Sequence, residues 1–280
     1  MLPLATILHR NHVVVSGKGE KTIVFSHGFG CDQSIWRRVA PAFEAEYRVV
    51  LFDLVGAGQS DLAAYTADRY SSLDAHAVNV LEVLEALDLH NVVFVGHSVS
   101  GMIGLLAAHD EPARFDSLVM VNPSPRYISD EDYCGGFVQA EIDDLLATLD
   151  TDYLGWVAGV TPVIMANADR PELAQELRAS FGRTDATIAR HFARVIYLSD
   201  HRADLARTVV PTLVVQSSHD AVVPVSVGEY LCRQIPGSCL RVINSAGHVP
   251  HLSDPALVIA AIREFLATQP QHAPEAAAAA

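Results

Sequence analysis

Three residues, each just past an apolar run, could together carry out nucleophilic chemistry. Ser98 lies in Gly96-His97-Ser98-Val99-Ser100-Gly101, between Val92-Val93-Phe94-Val95 and the stretch from Met102 to Ala108. The first run reads as a buried strand and the second as a helix. A serine at so sharp a strand-to-helix junction projects its hydroxyl outward and tolerates only small neighbours. The common form of this turn is G-x-S-x-G; here Ser100 takes the place of the last glycine and Gly101 follows it. Asp220 lies in Ser217-Ser218-His219-Asp220-Ala221-Val222, just past the apolar run 212–216, and His248 lies in Ala246-Gly247-His248-Val249-Pro250, just past 240–243. A serine hydroxyl is a poor nucleophile until a histidine takes its proton, and an aspartate fixes the tautomer of that histidine and stabilises the imidazolium. Taken singly, Asp220 reads as a turn-forming acid and His248 as a loop histidine. Their conjunction with Ser98 points to acyl transfer. Asp116 is the rival acid.

The elements that must position these residues follow a rhythm. Apolar runs recur at 13–15, 22–26, 49–52, 92–95, 118–121, 213–216 and 240–243. Continuous rather than alternating apolarity marks strands covered on both faces, as in a parallel sheet. Between them Leu73, Ala77, Val80, Leu81, Leu84 and Leu87 repeat at helical spacing, with Ser71 and Asp74 as a capping box, and Pro255 opens a last helix. The pattern is α/β and doubly wound. The order Ser, Asp, His is that of the α/β-hydrolase fold. In that fold the loop after an early strand supplies one oxyanion amide and the residue after the nucleophile the other, which assigns the backbone N–H groups of Phe29, in His27-Gly28-Phe29-Gly30, and of Val99. The rhythm breaks over 125–200, which reads as several amphipathic helices with Pro162 and Pro171 at turns or helix starts. The expected architecture is a mostly parallel sheet with a helical cap inserted after the sixth strand: a core over 1–124 and 201–268, a cap over 125–200, and a frayed tail over 269–280.

Composition narrows the class. With 19 Lys+Arg against 33 Asp+Glu, the net charge of −14 argues against nucleic acid and against an anionic membrane surface. No run of about 18 apolar residues predicts a spanning helix, and the first residues lack the basic start and long apolar stretch of a signal peptide. Cys31, Cys134, Cys232 and Cys239 have no metal-binding spacing and read as reduced thiols in a cytoplasm. No HExxH or paired ligand spacing appears among the 13 histidines, so neither metal nor cofactor is expected. The turn Asp53-Leu54-Val55-Gly56-Ala57-Gly58-Gln59-Ser60 lacks the third glycine of a dinucleotide loop and reads as a tight turn.

Further motifs carry a resemblance. Gly96 to Gly104, Asn122-Pro123-Ser124-Pro125-Arg126-Tyr127, Asp132-Tyr133-Cys134-Gly135-Gly136-Phe137, Tyr153-Leu154-Gly155-Trp156, Tyr197 with Ser199-Asp200, and Gly247 to Ser253 resemble the α/β-hydrolase branch of bacterial RsbQ and the plant karrikin and strigolactone receptors. The match runs over about residues 7–266, and Glu176 to Phe181 looks nearer to the bacterial member. The resemblance implies a four-helix cap over a hydrophobic pocket lined by Phe29, His97, Val99, Tyr127, Phe137, Trp156, Phe181 and Tyr197. It also implies Val160 in that wall, where the plant receptors usually carry phenylalanine. The reading is a serine hydrolase of a small, mostly apolar ester or lactone, acting through an acyl-enzyme. The alternative is a ligand-sensing protein that hydrolyses slowly and docks a signalling partner on its cap.

Overall fold

A computed structural model describes residues 3–269; the tail expected beyond 269 lies outside the described residues. Seven strands form one sheet: β1 (Val14–Ser16), β2 (Lys21–Ser26), β3 (Tyr47–Phe52), β4 (Val92–His97), β5 (Phe115–Val121), β6 (Thr212–His219) and β7 (Cys239–Ala246). Their order is β1-β3-β2-β4-β5-β6-β7; β1 runs antiparallel to β3 and every other pairing is parallel. Strand β4 is buried at all six positions and β2 at its last five, the outcome that continuous apolarity predicts for strands covered on both faces. Among the described residues the α-helices are α1 (Leu4–Arg10), α2 (Asp74–Ala86), α3 (Val99–Asp110), α4 (Gln139–Thr151), α5 (Tyr153–Met165), α6 (Pro171–Gly182), α7 (Ala186–Tyr197), α8 (Val225–Gln234), α9 (Pro250–Ser253) and α10 (Pro255–Thr268).

The winding direction of the sheet reverses between β2 and β4, which pair directly with Ser26 opposite Gly96. At such a switch point the loops beyond the carboxyl ends of two neighbouring strands part and leave a crevice. The loop 27–30 and the turn at Ser98 therefore stand side by side. Helix α3 is buried from Val99 through Ala108. At Gly104 a Cβ would come 2.4 Å from the Phe94 ring, so the helix lies directly on β4.

Three details differ from the sequence expectation. The helical insertion follows the fifth strand rather than the sixth, because a single antiparallel strand, β1, precedes the parallel set. Helix α2 starts at Asp74 without a capping box: Ser71 Oγ donates to the Asp68 carbonyl and Ser72 Oγ to the Asp74 carboxylate. Pro162 lies inside α5, whereas Pro171 does open α6. Proline forfeits one backbone donor within a helix, and near the end of α5 the helix runs on for three more residues to Met165. The turn after β3 is the tight turn expected. Buried Asp53 ties it down by accepting from the amides of Gln33 and Gln59 at 2.8 and 2.9 Å.

Candidate active site

Ser98 sits on strained backbone, with φ 55° and ψ −122°. Non-glycine residues rarely adopt positive φ, and the cost is sustained only where the surroundings over-determine it. Gly96 permits the turn, since a Cβ there would lie 2.3 Å from the Ser100 carbonyl oxygen. Ser100 adds a link that glycine could not make. Its hydroxyl donates to the His27 carbonyl at 2.5 Å and lies 2.8 Å from Ser26 Oγ, which joins the elbow to the loop of Phe29. His27 fixes that loop from the other side. Its Nδ1–H donates to the Gly28 carbonyl at 2.9 Å and its Nε2 accepts from the Leu54 amide at 3.0 Å.

His248 Nε2 lies 2.9 Å from Ser98 Oγ, and its Nδ1 lies 2.7 Å from Asp220 Oδ2. A carboxylate only accepts, so Nδ1 carries the proton and Nε2 presents a lone pair to the serine hydroxyl. The other Asp220 oxygen accepts from the Val222 amide at 2.8 Å. The Asp220 side chain is fully buried. Asp116 lies on β5 and not in this relay.

The backbone of His248 is held from three directions. Its amide donates to the Ile164 carbonyl of α5 at 2.8 Å, and its carbonyl accepts from His97 Nε2–H at 2.8 Å and Asn122 Nδ2 at 3.0 Å. Asn122, with φ 47°, also accepts from the Ser217 amide at 2.8 Å, so one amide side chain ties the ends of β5 and β6 to the histidine loop. Burial, then the neighbouring His251 and His248, holds His97 well below the usual histidine range, so it stays neutral. Gly247 allows the closest approach: a Cβ there would meet the Met165 carbonyl oxygen at 2.1 Å.

In front of Ser98 lies a mostly apolar cavity of about 30 Å³, lined by Phe29, Cys31, His97, Tyr127, Phe181 and Tyr197 together with aliphatic side chains. That volume holds a water or two. Helices α5, α6 and α7 supply Ile164, Leu177, Phe181, Ile196 and Tyr197 to its walls. Burial pushes the Cys31 thiol and the Tyr197 phenol each up to about 12, so both face the cavity uncharged. Val99 is the first residue of α3, where a helix leaves its amides without internal partners. It and Phe29 flank the turn on which Ser98 stands.

Val99, Phe137, Trp156 and Val160 do not line this cavity. Trp156 stands behind the wall, with its ring 6.3 Å from that of Phe29 and 5.9 Å from that of Phe181. Phe137 pairs its backbone with Tyr127 and packs against the core. Val160 is half-buried one turn before Ile164, whose longer side chain forms the α5 part of the wall. The residues missed at the sequence level are Cys31, Ile164, Leu177, Ile196, Val222 and Val249. Two of them sit within two positions of Asp220 or His248, and Leu177 falls one helical turn before Phe181. Those spacings were the available signal. Among the described residues no cluster of three or more His, Cys, Asp or Glu could hold a metal ion, and no helix is long and apolar enough to cross a membrane.

A parallel sheet with a strained serine at its switch point and an aspartate-paired histidine facing it defines a class, and a family model agrees: the alpha/beta hydrolase fold matches residues 21–255. The chain belongs to the α/β-hydrolase family. It is 39% identical over 248 residues to the "Karrikin insensitive 2 receptor IA" of Petunia hybrida, covering 88% of this chain and 90% of the relative. It is 38% identical over 252 residues to the "Strigolactone esterase RMS3" of Pisum sativum, covering 89% and 94%. The solved structure of a hydrolase from Oleispira antarctica superposes with a TM-score of 0.93 at 38% identity, covering 95% of this chain and 98% of that one.

Proposed function

We propose that the protein is a serine hydrolase that cleaves a small, mostly apolar ester or lactone through an acyl-enzyme. The 2.9 and 2.7 Å relay from Ser98 through His248 to Asp220 carries this reading. Ser98 Oγ attacks the carbonyl carbon as its proton passes to His248 Nε2, and Asp220 stabilises the imidazolium. The amides of Phe29 and Val99 receive the oxyanion. His248 then protonates the departing alkoxide, and water releases the acyl group by the same route in reverse. Helices α4–α7 act as the cap. The cavity is far below the roughly 300–1,000 Å³ of a ligand site, so an ester enters by displacing walls that the cap supplies.

The names of the relatives favour a second reading, a ligand sensor that hydrolyses slowly and presents its cap to a signalling partner. A cytoplasmic location goes with either, supported by four cysteines of which none is paired. The test is intact-protein mass spectrometry after exposure to aryl esters and butenolides, with product release measured alongside. An acyl adduct that forms and clears at about 1 s⁻¹ or faster supports the enzyme, the usual range of kcat. A stable adduct with turnover below about one per minute supports the sensor. Ser98→Ala should form no adduct and lose activity by a factor of about 10⁶. An adduct on that variant would remove Ser98 from the mechanism.

A further inference from the structure

The relay leaves the Tyr127 hydroxyl in the cavity without a task. The Tyr127 hydroxyl lies 3.4 Å from Ser98 Oγ and, among the described residues, has no other hydrogen-bond partner. The residue is 3% exposed, so bulk solvent does not reach it. A buried hydroxyl with one long contact is poorly satisfied, yet this one is held firmly in place. The Phe137 amide donates to the Tyr127 carbonyl at 3.2 Å, and the preceding Arg126 carbonyl accepts from Ser124 Oγ and Tyr133 Oη, both at 2.7 Å. Gly135 lets these two segments close, since a Cβ there would come 2.5 Å from the Tyr127 carbonyl oxygen. The ring of Tyr197 meets the Tyr127 ring edge-on at 5.0 Å. The phenol is thus clamped at both ends and aimed at the nucleophile.

The Ser98 proton belongs to His248, so the phenol hydrogen can only point at Ser98 Oγ or at an atom that comes to lie beside it. In the tetrahedral intermediate three substituents share a carbon bonded to Oγ. One is the oxyanion, which faces the amides of Phe29 and Val99. Another is the leaving oxygen, which becomes an alkoxide as its bond to carbon breaks. Burial raises the Tyr127 phenol above its ordinary range, so it stays a neutral donor at every working pH.

We infer that Tyr127 is a catalytic residue whose hydroxyl donates a hydrogen bond to the departing alkoxide oxygen, fitting the site to alkyl esters and lactones with poor leaving groups. The inference rests on the serine-hydrolase reading above. In the step it serves, the Ser98 Oγ–acyl bond forms and the acyl–oxygen bond breaks. The serine proton reaches the alkoxide through His248, and the phenol keeps its own proton. A contact of 3.4 Å is long for two hydroxyls, and such contacts tighten as charge develops.

The test is kcat/KM, which reports acylation, for acetates of p-nitrophenol, phenol, trifluoroethanol and ethanol with wild type and Tyr127→Phe. The variant should lose about tenfold to a hundredfold on ethyl acetate and under about twofold on p-nitrophenyl acetate, the size of one hydrogen bond to a developing charge. Capture of Ser98 by a p-nitrophenyl phosphonate should fall by the same small factor as p-nitrophenyl acetate, because that leaving group needs no help. Tyr127→Met, which fills similar space, should show the same dependence and covers the case in which Tyr127→Phe does not fold. Equal losses along the series, or none, would overturn the inference and leave Tyr127 as packing. Survival of activity in Ser98→Ala would instead overturn the hydrolase reading beneath it.

Discussion

The two walls of the cavity are built by different means. On the sheet side, Ser98, His248 and Asp220 stand on strand ends whose backbones are pinned by Asn122, His97 and Ser100. On the helical side the wall consists of side chains resting on side chains: Phe181 edge-on to Phe29 at 5.6 Å, Phe192 at 6.0 Å, Trp156 behind them. Backbone placement tolerates little drift, because these carbonyls and amides are held at hydrogen-bond distance. Aromatic packing can rearrange by rotating rings and sliding helices. The relay proposed for the chemistry stands on the first kind of wall, and the entry proposed for the ligand runs through the second.

The largest effect that would break this division lies on the sheet side. Asp220→Asn should lower kcat by about 10⁴, because an amide in that place favours the wrong histidine tautomer. Asp116→Asn should leave kcat unchanged. The comparison of the two variants by steady-state kinetics decides the assignment: collapse in Asp116→Asn with a healthy Asp220→Asn would move the acid to β5.

On the helical side the expected loss is of stability rather than rate. Trp156 is buried against Phe29 and Phe181 and stacks on Tyr153 at 6.4 Å. Trp156→Ala should reduce the unfolding free energy by about 3–5 kcal/mol, as truncation of a core aromatic does. KM for small and bulky esters should then rise together. Phe181→Ala, which opens the wall itself, should change the ratio of the two. A Trp156→Ala protein within about 1 kcal/mol of wild type, with a rise in KM confined to bulky esters, would return the indole to the cavity wall.

The same division explains what could be read from the residues alone. The elbow was legible because its geometry excludes side chains: Gly96 has no room for a Cβ, and the order Ser98, Asp220, His248 follows the strands. The loop of Phe29 beside the elbow was legible by its glycines. The four helices between Val121 and Thr212 were legible as a break in strand rhythm. The identity of the wall was not. Helical spacing shows that Trp156, Val160 and Ile164 share a face of α5, but not that the indole stops behind Phe29 while the isoleucine reaches the cavity. Asn122 was visible only as a letter in a motif, since its work depends on φ 47° and on contacts 95 and 126 positions away. The capping box failed for a related reason. Ser71 has the right type at the right spacing, yet its hydroxyl finds the Asp68 carbonyl first.

The smallest expected effect concerns how the sheet side is kept neutral. His251 stacks on Trp36 at 4.2 Å, meets His97 edge-on at 4.4 Å, and neither of its ring nitrogens has a hydrogen-bond partner among the described residues. Burial, reinforced by His248, lowers it from 6.5 to about 3, and burial with the neighbouring His27 does the same to His76. His97 shifts in the same direction. A histidine whose folded value is depressed binds its proton in the unfolded chain first. The stability it protects is complete above about pH 6.5 and is lost as the pH falls through the window down to about 3, at about 1.4 kcal/mol per pH unit for each such group. Urea unfolding at pH 7.0 and 5.5 should show the wild-type protein weakening with a slope of up to three protons. His251→Gln should start lower in stability but lose one proton from that slope. An unchanged slope would mean that His251 is charged or solvated in the folded protein, and that the histidines beneath Ser98 are not the dry, neutral support that the backbone wall requires.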